Sequence, residues 1–203
     1  VGGQLIKEQG KMFHYNVTGE FALIGEDAGA FSVEGTGNMN FRLFNDTVRL
    51  EANAYIKNQN PTFYYRHFHS KHYWWDNNDL SKMMKTRIEG KLSIDRWRTQ
   101  LKAGVENITN YTYLDNTSVA EGGSEGSETP TSFLNNVGVA QHSGSIQVFS
   151  ASLRQDFKLG VLHLDNEVTY QTSSNQDILP LPKLVLYHNL YLSFGLAKKV
   201  LKV

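Results

Sequence analysis

The stretch Phe31-Ser-Val-Glu-Gly-Thr-Gly-Asn-Met-Asn-Phe-Arg-Leu43 decides the fold. Its odd positions are Phe31, Val33, Gly35, Gly37, Met39, Phe41 and Leu43; its even positions are Ser32, Glu34, Thr36, Asn38, Asn40 and Arg42. Successive side chains of a strand point to opposite faces, so this segment is a strand with one apolar and one polar face. The pattern spreads both ways. Upstream, Phe13, Tyr15, Val17, Gly19, Phe21 and Leu23 alternate with His14, Asn16, Thr18 and Glu20. Downstream, Val48, Leu50, Ala52, Ala54 and Ile56 oppose Arg49, Glu51, Asn53, Tyr55 and Lys57. Similar alternation covers 87–94, 98–106, 149–158, 162–171 and 188–196. The sequence therefore predicts an all-β chain of about eight strands, an antiparallel up-and-down meander over residues 1–203 as one domain or a section of one.

The connections alternate in length. Tight turns are expected at Asn45-Asp46, near Asp95-Arg96-Trp97, at Leu159-Gly160 and at Lys198-Lys199. Long connections are expected near 58–84, 113–144 and 173–187. Alternate connections of a meander fall at one end, so one end is trimmed and the other elaborate, as in transmembrane β-barrels. The short Gly25–Gly29 connection is the exception at the elaborate end. The Glu121–Thr129 stretch is of low complexity.

Composition narrows the function. Lys plus Arg number 20 and Asp plus Glu number 20, so no overall positive field recruits nucleic acid. The absence of cysteine removes disulfides, thiolate metal sites and cysteine nucleophiles. No run approaches the ~20 apolar residues of a membrane helix, a test that leaves a barrel untouched because its strands alternate. The expected strands of about ten to fourteen residues suit a bilayer crossing better than a globular sheet. Aromatics near strand ends (Phe44, Trp97, Tyr111, Tyr113, Phe157, Tyr170 and Tyr187) suit interfacial girdles. The polar face then lines an aqueous interior through Glu34, Arg42, Arg49, Glu51, Arg87, Glu89, Arg98, Lys102 and Glu106.

Resemblance points the same way. Phe63-Tyr-Tyr-Arg-His-Phe-His-Ser-Lys-His-Tyr-Trp-Trp-Asp-Asn77 resembles a signature of the putative-porin family of Bacteroidota outer membranes. Thr86–Gly90, Gly104–Ile108 and Asn166–Gln171 are similar to the same family. The resemblance implies an outer-membrane β-barrel of a Gram-negative bacterium that passes small hydrophilic solutes. It also implies the lipid bilayer and lipopolysaccharide as partners, with an oligomer or envelope complex compatible with it. Members of the family are longer than this chain. The ending Leu196-Ala-Lys-Lys-Val-Leu-Lys-Val203 reads as a turn and the opening of another strand, and the chain opens at Val1 without a signal peptide. Both suggest a section of a larger barrel.

Chemistry is thin. His67, His69 and His72, with Asp76 and Asp79, are residue types that zinc or copper takes. Spacing in a loop is not geometry, and Tyr64, Tyr65, Trp74 and Trp75 favour packing of this loop at the barrel mouth, so no metal and no cofactor are expected. Asp165 and Glu167 share one strand face, whereas a glycosidase pair normally comes from separate elements. Serine elbows, phosphate loops and dinucleotide fingerprints are absent, so no catalytic residue and no enzyme are expected. Gly35 and Gly37, mid-strand, are expected to admit a bend or a neighbouring aromatic. The rival readings are a soluble or surface-attached β-sandwich that binds ligands through its aromatic loop, and a structural barrel that does not transport.

Overall fold

The computed structural model describes the chain except for Lys11 and residues 44–45, 117–118, 122–131, 135–136, 197–200 and 203. In chain order the strands are β1 (Gly2–Lys7), β2 (Phe13–Phe21), β3 (Phe31–Leu43) and β4 (Asp46–Gln59). A single helical turn, α1 (Phe63–Arg66), leads into β5 (His67–His69) and β6 (Trp74–Asp76). There follow β7 (Met83–Ile94), β8 (Thr99–Asn116), β9 (Val119–Glu121), β10 (Ser132–Leu134) and β11 (Val137–Leu159). The last are β12 (Leu162–Ser173), β13 (Leu184–Leu192), β14 (Gly195–Leu196) and β15 (Leu201–Lys202).

Nine of these form one antiparallel sheet in the order β1-β2-β3-β4-β7-β8-β11-β12-β13, and β5–β6, β9–β10 and β14–β15 are two-stranded pairs. The order is an up-and-down meander with an open sheet. The expected count was one short because Gly2-Gly-Gln-Leu-Ile-Lys7 carries no clean alternation, yet it pairs with β2 from Gly2↔Glu20 to Lys7↔Tyr15. The connection expected over 113–144 is shorter, since β8 runs on to Asn116 and pairs with Val137 at the start of β11. One irregularity, between His142 and Ser145, lets that long pairing continue.

The register brings like residues together in rows. One row runs Phe13, Met39, Leu50, Leu92, Leu101, Leu153, Val168, Leu186. Two residues along, the row is Tyr15, Gly37, Ala52, Gly90, Ala103, Ala151, Tyr170, Leu184. The next is Leu5, Val17, Gly35, Ala54, Ile88, Val105, Phe149. A one-residue slip would mix these faces, so the apolar rows and the register specify each other. Gly37 admits an aromatic, as expected: a Cβ there would stand 3.5 Å from Cε2 of Phe13, whose ring covers the position.

Exposure is inverted with respect to a soluble protein. On the apolar face Ile88 is 68% exposed and Val105 50%. On the opposite face the side chains of Glu89 and Glu106 are only 15% and 16% exposed. Among the described residues the buried apolar set comes down to Ala30, Val48, Pro61, Ile108 and Ile146, too few for a conventional core. A β-sandwich needs a second sheet against the apolar face, and the three small pairs are two-stranded. The sheet is a single layer whose charged face is the sheltered one. No helix among the described residues is long and apolar enough to cross a membrane.

The tight turns lie at one end. Asp95–Arg98 closes with Arg98 N–H donating to Asp95 O at 3.2 Å. Gly160, at φ 60°, makes the turn between β11 and β12, a left-handed conformation that glycine adopts without steric penalty. The expected turn at 45–46 lies partly outside the described residues, and those at 198–199 and most of 121–129 lie outside them, as does Phe44. β14 and β15 pair through Gly195↔Lys202 and Leu196↔Leu201, apart from the nine-stranded sheet.

Candidate functional site

The sheltered face carries the charged residues singled out by sequence, and register turns their spacing into contacts. Glu34, Tyr55, Arg87 and Glu106 form one row across β3, β4, β7 and β8. Tyr55 Oη donates to Glu106 Oε1 at 2.8 Å, and Arg87 Nη1 donates to Glu106 Oε2 at 3.1 Å. The other arm of Arg87 reaches Glu89 at 2.5 Å. Glu51 holds Lys91 at 3.1 Å two rows away on the same face, and Glu34 holds Lys57 at 2.5 Å. Arg154 bridges Asp156 at 3.1 Å and approaches Asp165 at 4.0 Å. Gly104, in register with Glu89, leaves the room this crowding needs: a Cβ there would stand 3.0 Å from Ile88 O and 3.2 Å from Glu89 Cβ.

Two charges are held loosely. Lys102 Nζ stands 3.8 Å from Glu89, beyond hydrogen-bond length. Glu167, on β12, has no hydrogen bond or ion pair within 4 Å among the described residues; its cross-strand partner Arg154 turns its guanidinium to Asp156 and Asp165. Of the remaining expected wall residues, Arg49 pairs at 3.6 Å with Asp95 and Arg42 is exposed opposite Thr47, both near the trimmed end. Arg98 is in the turn itself, at φ 50°, and so at the edge of the sheet rather than on a strand row. Tyr187, read as a girdle residue, is in register with Glu167 and belongs to the charged face.

At the elaborate end the aromatic-histidine loop is a small folded hairpin. The register of β5 and β6 sets His67 opposite Asp76, Phe68 opposite Trp75 and His69 opposite Trp74. Phe68 and Trp75 stack at 4.9 Å between ring centroids, and His69 and Trp74 at 3.8 Å. One carboxylate ties both imidazoles: His67 Nδ1 and His69 Nε2 each lie 2.9 Å from an oxygen of Asp76. These two hydrogen bonds hold the Asp76 carboxyl below the usual carboxylate range. Trp75 Nε1 donates to Tyr64 O at 2.9 Å and Asn77 Nδ2 to Tyr65 O at 3.0 Å, tying the hairpin to α1. Arg66 reaches Glu26 in the β2–β3 connection at 3.0 Å.

The structure thus unites His67, His69 and Asp76, and leaves His72 and Asp79 outside the cluster. No group of three or more His, Asp or Glu among the described residues is arranged to hold a metal ion. Tyr64 and Trp74 are each 70% exposed, while Tyr65, Phe68 and Trp75 are half-buried.

Sequence reasoning missed two features. Gln141, in β11, clamps the far end of the loop: it accepts from Ser81 N at 2.9 Å and donates to Ser81 O at 2.7 Å. The β12–β13 connection, residues 174–183, lies over the charged face. There Leu179 and Leu181 line a recess of about 360 Å³ together with Arg87, Lys102, Glu106 and Glu167. The clustered Pro180-Leu181-Pro182 was the available signal for a stiff connection, but nothing local says which way it leans.

A sheet with an exposed apolar face, a sheltered charged face and unequal ends is the pattern of a membrane barrel wall. Comparison with known families agrees: the model of the family described as "putative porin" matches residues 1–203. The chain belongs to the putative-porin family. No curated protein and no solved structure matches it. Membership in the putative-porin family accounts for the two features that a soluble reading leaves without a role, the bare apolar rows and the sheltered ionic ones. It supports a porin-like role in general.

Proposed function

We propose that this chain forms part of the wall of an outer-membrane β-barrel through which small hydrophilic solutes diffuse passively. The observation that carries the reading is the inversion of exposure, with apolar rows outward and ion-paired rows sheltered. Lipid covers the apolar rows, and Glu34, Arg42, Arg49, Glu51, Arg87, Glu89, Lys102 and Glu106 face the aqueous interior, with Arg98 at its rim. Closure of the barrel removes the free edges of β1 and β13, which hydrocarbon does not tolerate. The Phe63–Asn77 hairpin shapes the mouth on the side of the long loops, near lipopolysaccharide. Both signs of charge are mixed over the inner rows, so the wall has little overall preference for anions or cations.

Reconstitution of the natural full-length protein tests this. Stepwise conductance in planar bilayers and swelling of proteoliposomes in small sugars are expected. A folded, inserted protein with neither would contradict transport and favour a purely structural barrel.

A further inference from the structure

We propose that the recess under residues 174–183 is a binding subsite for short zwitterionic peptides with an apolar side chain, placed on the path that solutes take. The proposal rests on the charged face being wet, as above, and adds a ligand class to it.

The roof is built rather than draped. Ser174 N–H donates to Gln147 O at 2.8 Å and its hydroxyl accepts from Gln147 N–H at 2.9 Å, fixing one end to β11. Gln171 N–H donates to Lys183 O at 3.0 Å and fixes the other. Within the loop, Asn175 Oδ1 accepts from Ile178 N–H at 3.2 Å and Gln176 Oε1 from Leu181 N–H at 3.2 Å. These bonds hold Leu179 and Leu181 above the floor, where Ile108 and Val148 add apolar surface. An apolar side chain entering here loses water on two sides.

The floor supplies one charge of each sign. Arg87 and Glu106 saturate each other and their neighbours, but Lys102 and Glu167 do not. Their separation follows from register. Lys102 faces Ser152, Ser152 faces Thr169, and Glu167 is two residues from Thr169 along β12. With about 4.8 Å between strands and about 3.4 Å per residue, their Cα atoms are roughly 12 Å apart on one face. Swung off Glu89 to stand upright from the sheet, Lys102 keeps about that separation between its ammonium and the Glu167 carboxylate. A chain of two residues spans about 7 Å, and an ion pair of about 2.8 Å at each terminus completes the distance. The ligand's carboxylate then meets Lys102 and its ammonium meets Glu167, while Ser152 offers a hydroxyl between them and the neighbouring Arg154 stays on Asp156. A recess of about 360 Å³ holds a ligand of this size. A neutral sugar leaves both charges unmatched.

The test uses the full-length protein in detergent micelles, with saturation-transfer NMR on the dipeptide Ala-Leu, its N-acetyl form and its C-terminal amide. Binding of Ala-Leu is expected to exceed that of either blocked form by roughly two- to fivefold, the range of a partly exposed ion pair. Lys102→Gln should erase the distinction between acid and amide only. Glu167→Gln should erase the distinction between amine and N-acetyl only. Leu179→Ala should weaken Ala-Leu more than Gly-Gly, a readout independent of the charges. Equal binding of all three peptides, or discrimination that survives both charge variants, overturns the inference. Proteoliposome swelling in sugars separates the two claims: sugar flux without peptide discrimination leaves the porin reading and removes the subsite. Peptide binding without any flux keeps the subsite and removes the porin reading.

Discussion

Arginine at Ala103 puts the lipid-facing assignment at risk with a number attached. Ala103 is an exposed residue of β8, midway along the outward apolar run Leu101, Ala103, Val105, with Thr99 and Asn107 beyond its ends. Its row neighbours are Gly90 and Ala151, so a long side chain meets no steric obstacle there. If this face met water, Ala103→Arg would be a surface substitution within about 0.5 kcal/mol of neutral. If it meets the middle of a bilayer, the cost is about 2–4 kcal/mol. At about 1.4 kcal/mol per tenfold, a 3 kcal/mol loss lowers the folding equilibrium constant by roughly 140-fold. Gln147→Arg is the internal control. Gln147 lies on the same outward face but four residues from Ala151 toward the elaborate end, where the bilayer cost falls to about 0–1 kcal/mol. Reversible unfolding by denaturant in phospholipid vesicles measures both. A large loss at Ala103 with a small one at Gln147 is expected. Equal, negligible losses at both would refute the reasoning, because they mean water on both sides of the sheet.

Three further outcomes follow from the geometry. Arg87→Ala leaves the half-sheltered Glu89 and Glu106 without their shared partner, and should cost about 1–3 kcal/mol in the same unfolding assay; an unchanged midpoint would show that the network contributes nothing. Gly104→Val presses a branched side chain against Ile88 O and Glu89, and should cost about 1–3 kcal/mol, whereas Gly90→Val, on the outward face with open space around it, should cost less. The Asp76 carboxyl is depressed in the folded hairpin, so its contribution is complete above the ordinary carboxylate range and is lost as pH falls through the lowered value. Tryptophan fluorescence from Trp74 and Trp75 should therefore show an acid step below about pH 4, and Asp76→Ala should abolish that step. A step below about pH 4 that survives Asp76→Ala would count against this.

The faces of the sheet were legible in the sequence because alternation in β3, β4, β7 and β8 is nearly unbroken, and a period of two has one structural meaning. The start of the sheet was not: Gly2 and Gly3 contribute no side chain to the pattern, and β1 is recognisable only through its partner β2. The inner charges could be listed but not paired. That Arg87 serves both Glu89 and Glu106, and that Tyr55 joins them, depends on registers fixed by the whole sheet. Arg98 followed the alternation on paper and fell in a turn in space, since the chain reverses one residue later than its pattern suggests. Among the histidines, His67 and His69 meet Asp76 because a four-residue turn from Ser70 to Tyr73 sets the hairpin register, which spacing alone does not determine. The inward lean of residues 174–183 is a tertiary choice with no local signature beyond its prolines.

The absence of cysteine from these 203 residues leaves β8 open to single-cysteine labelling, with any cysteine elsewhere in the full-length protein replaced by serine. Single cysteines at Leu101, Lys102, Ala103, Val105 and Glu106 along β8, in the full-length protein in lipid vesicles, are offered a membrane-impermeant maleimide and then, as an attached fluorophore, brominated lipids; the crowded Gly104 is left in place. Strict alternation is expected: positions 102 and 106 label from water, and positions 101, 103 and 105 resist labelling and are quenched by lipid. Uniform labelling of both sets, or quenching on the even positions, would contradict it.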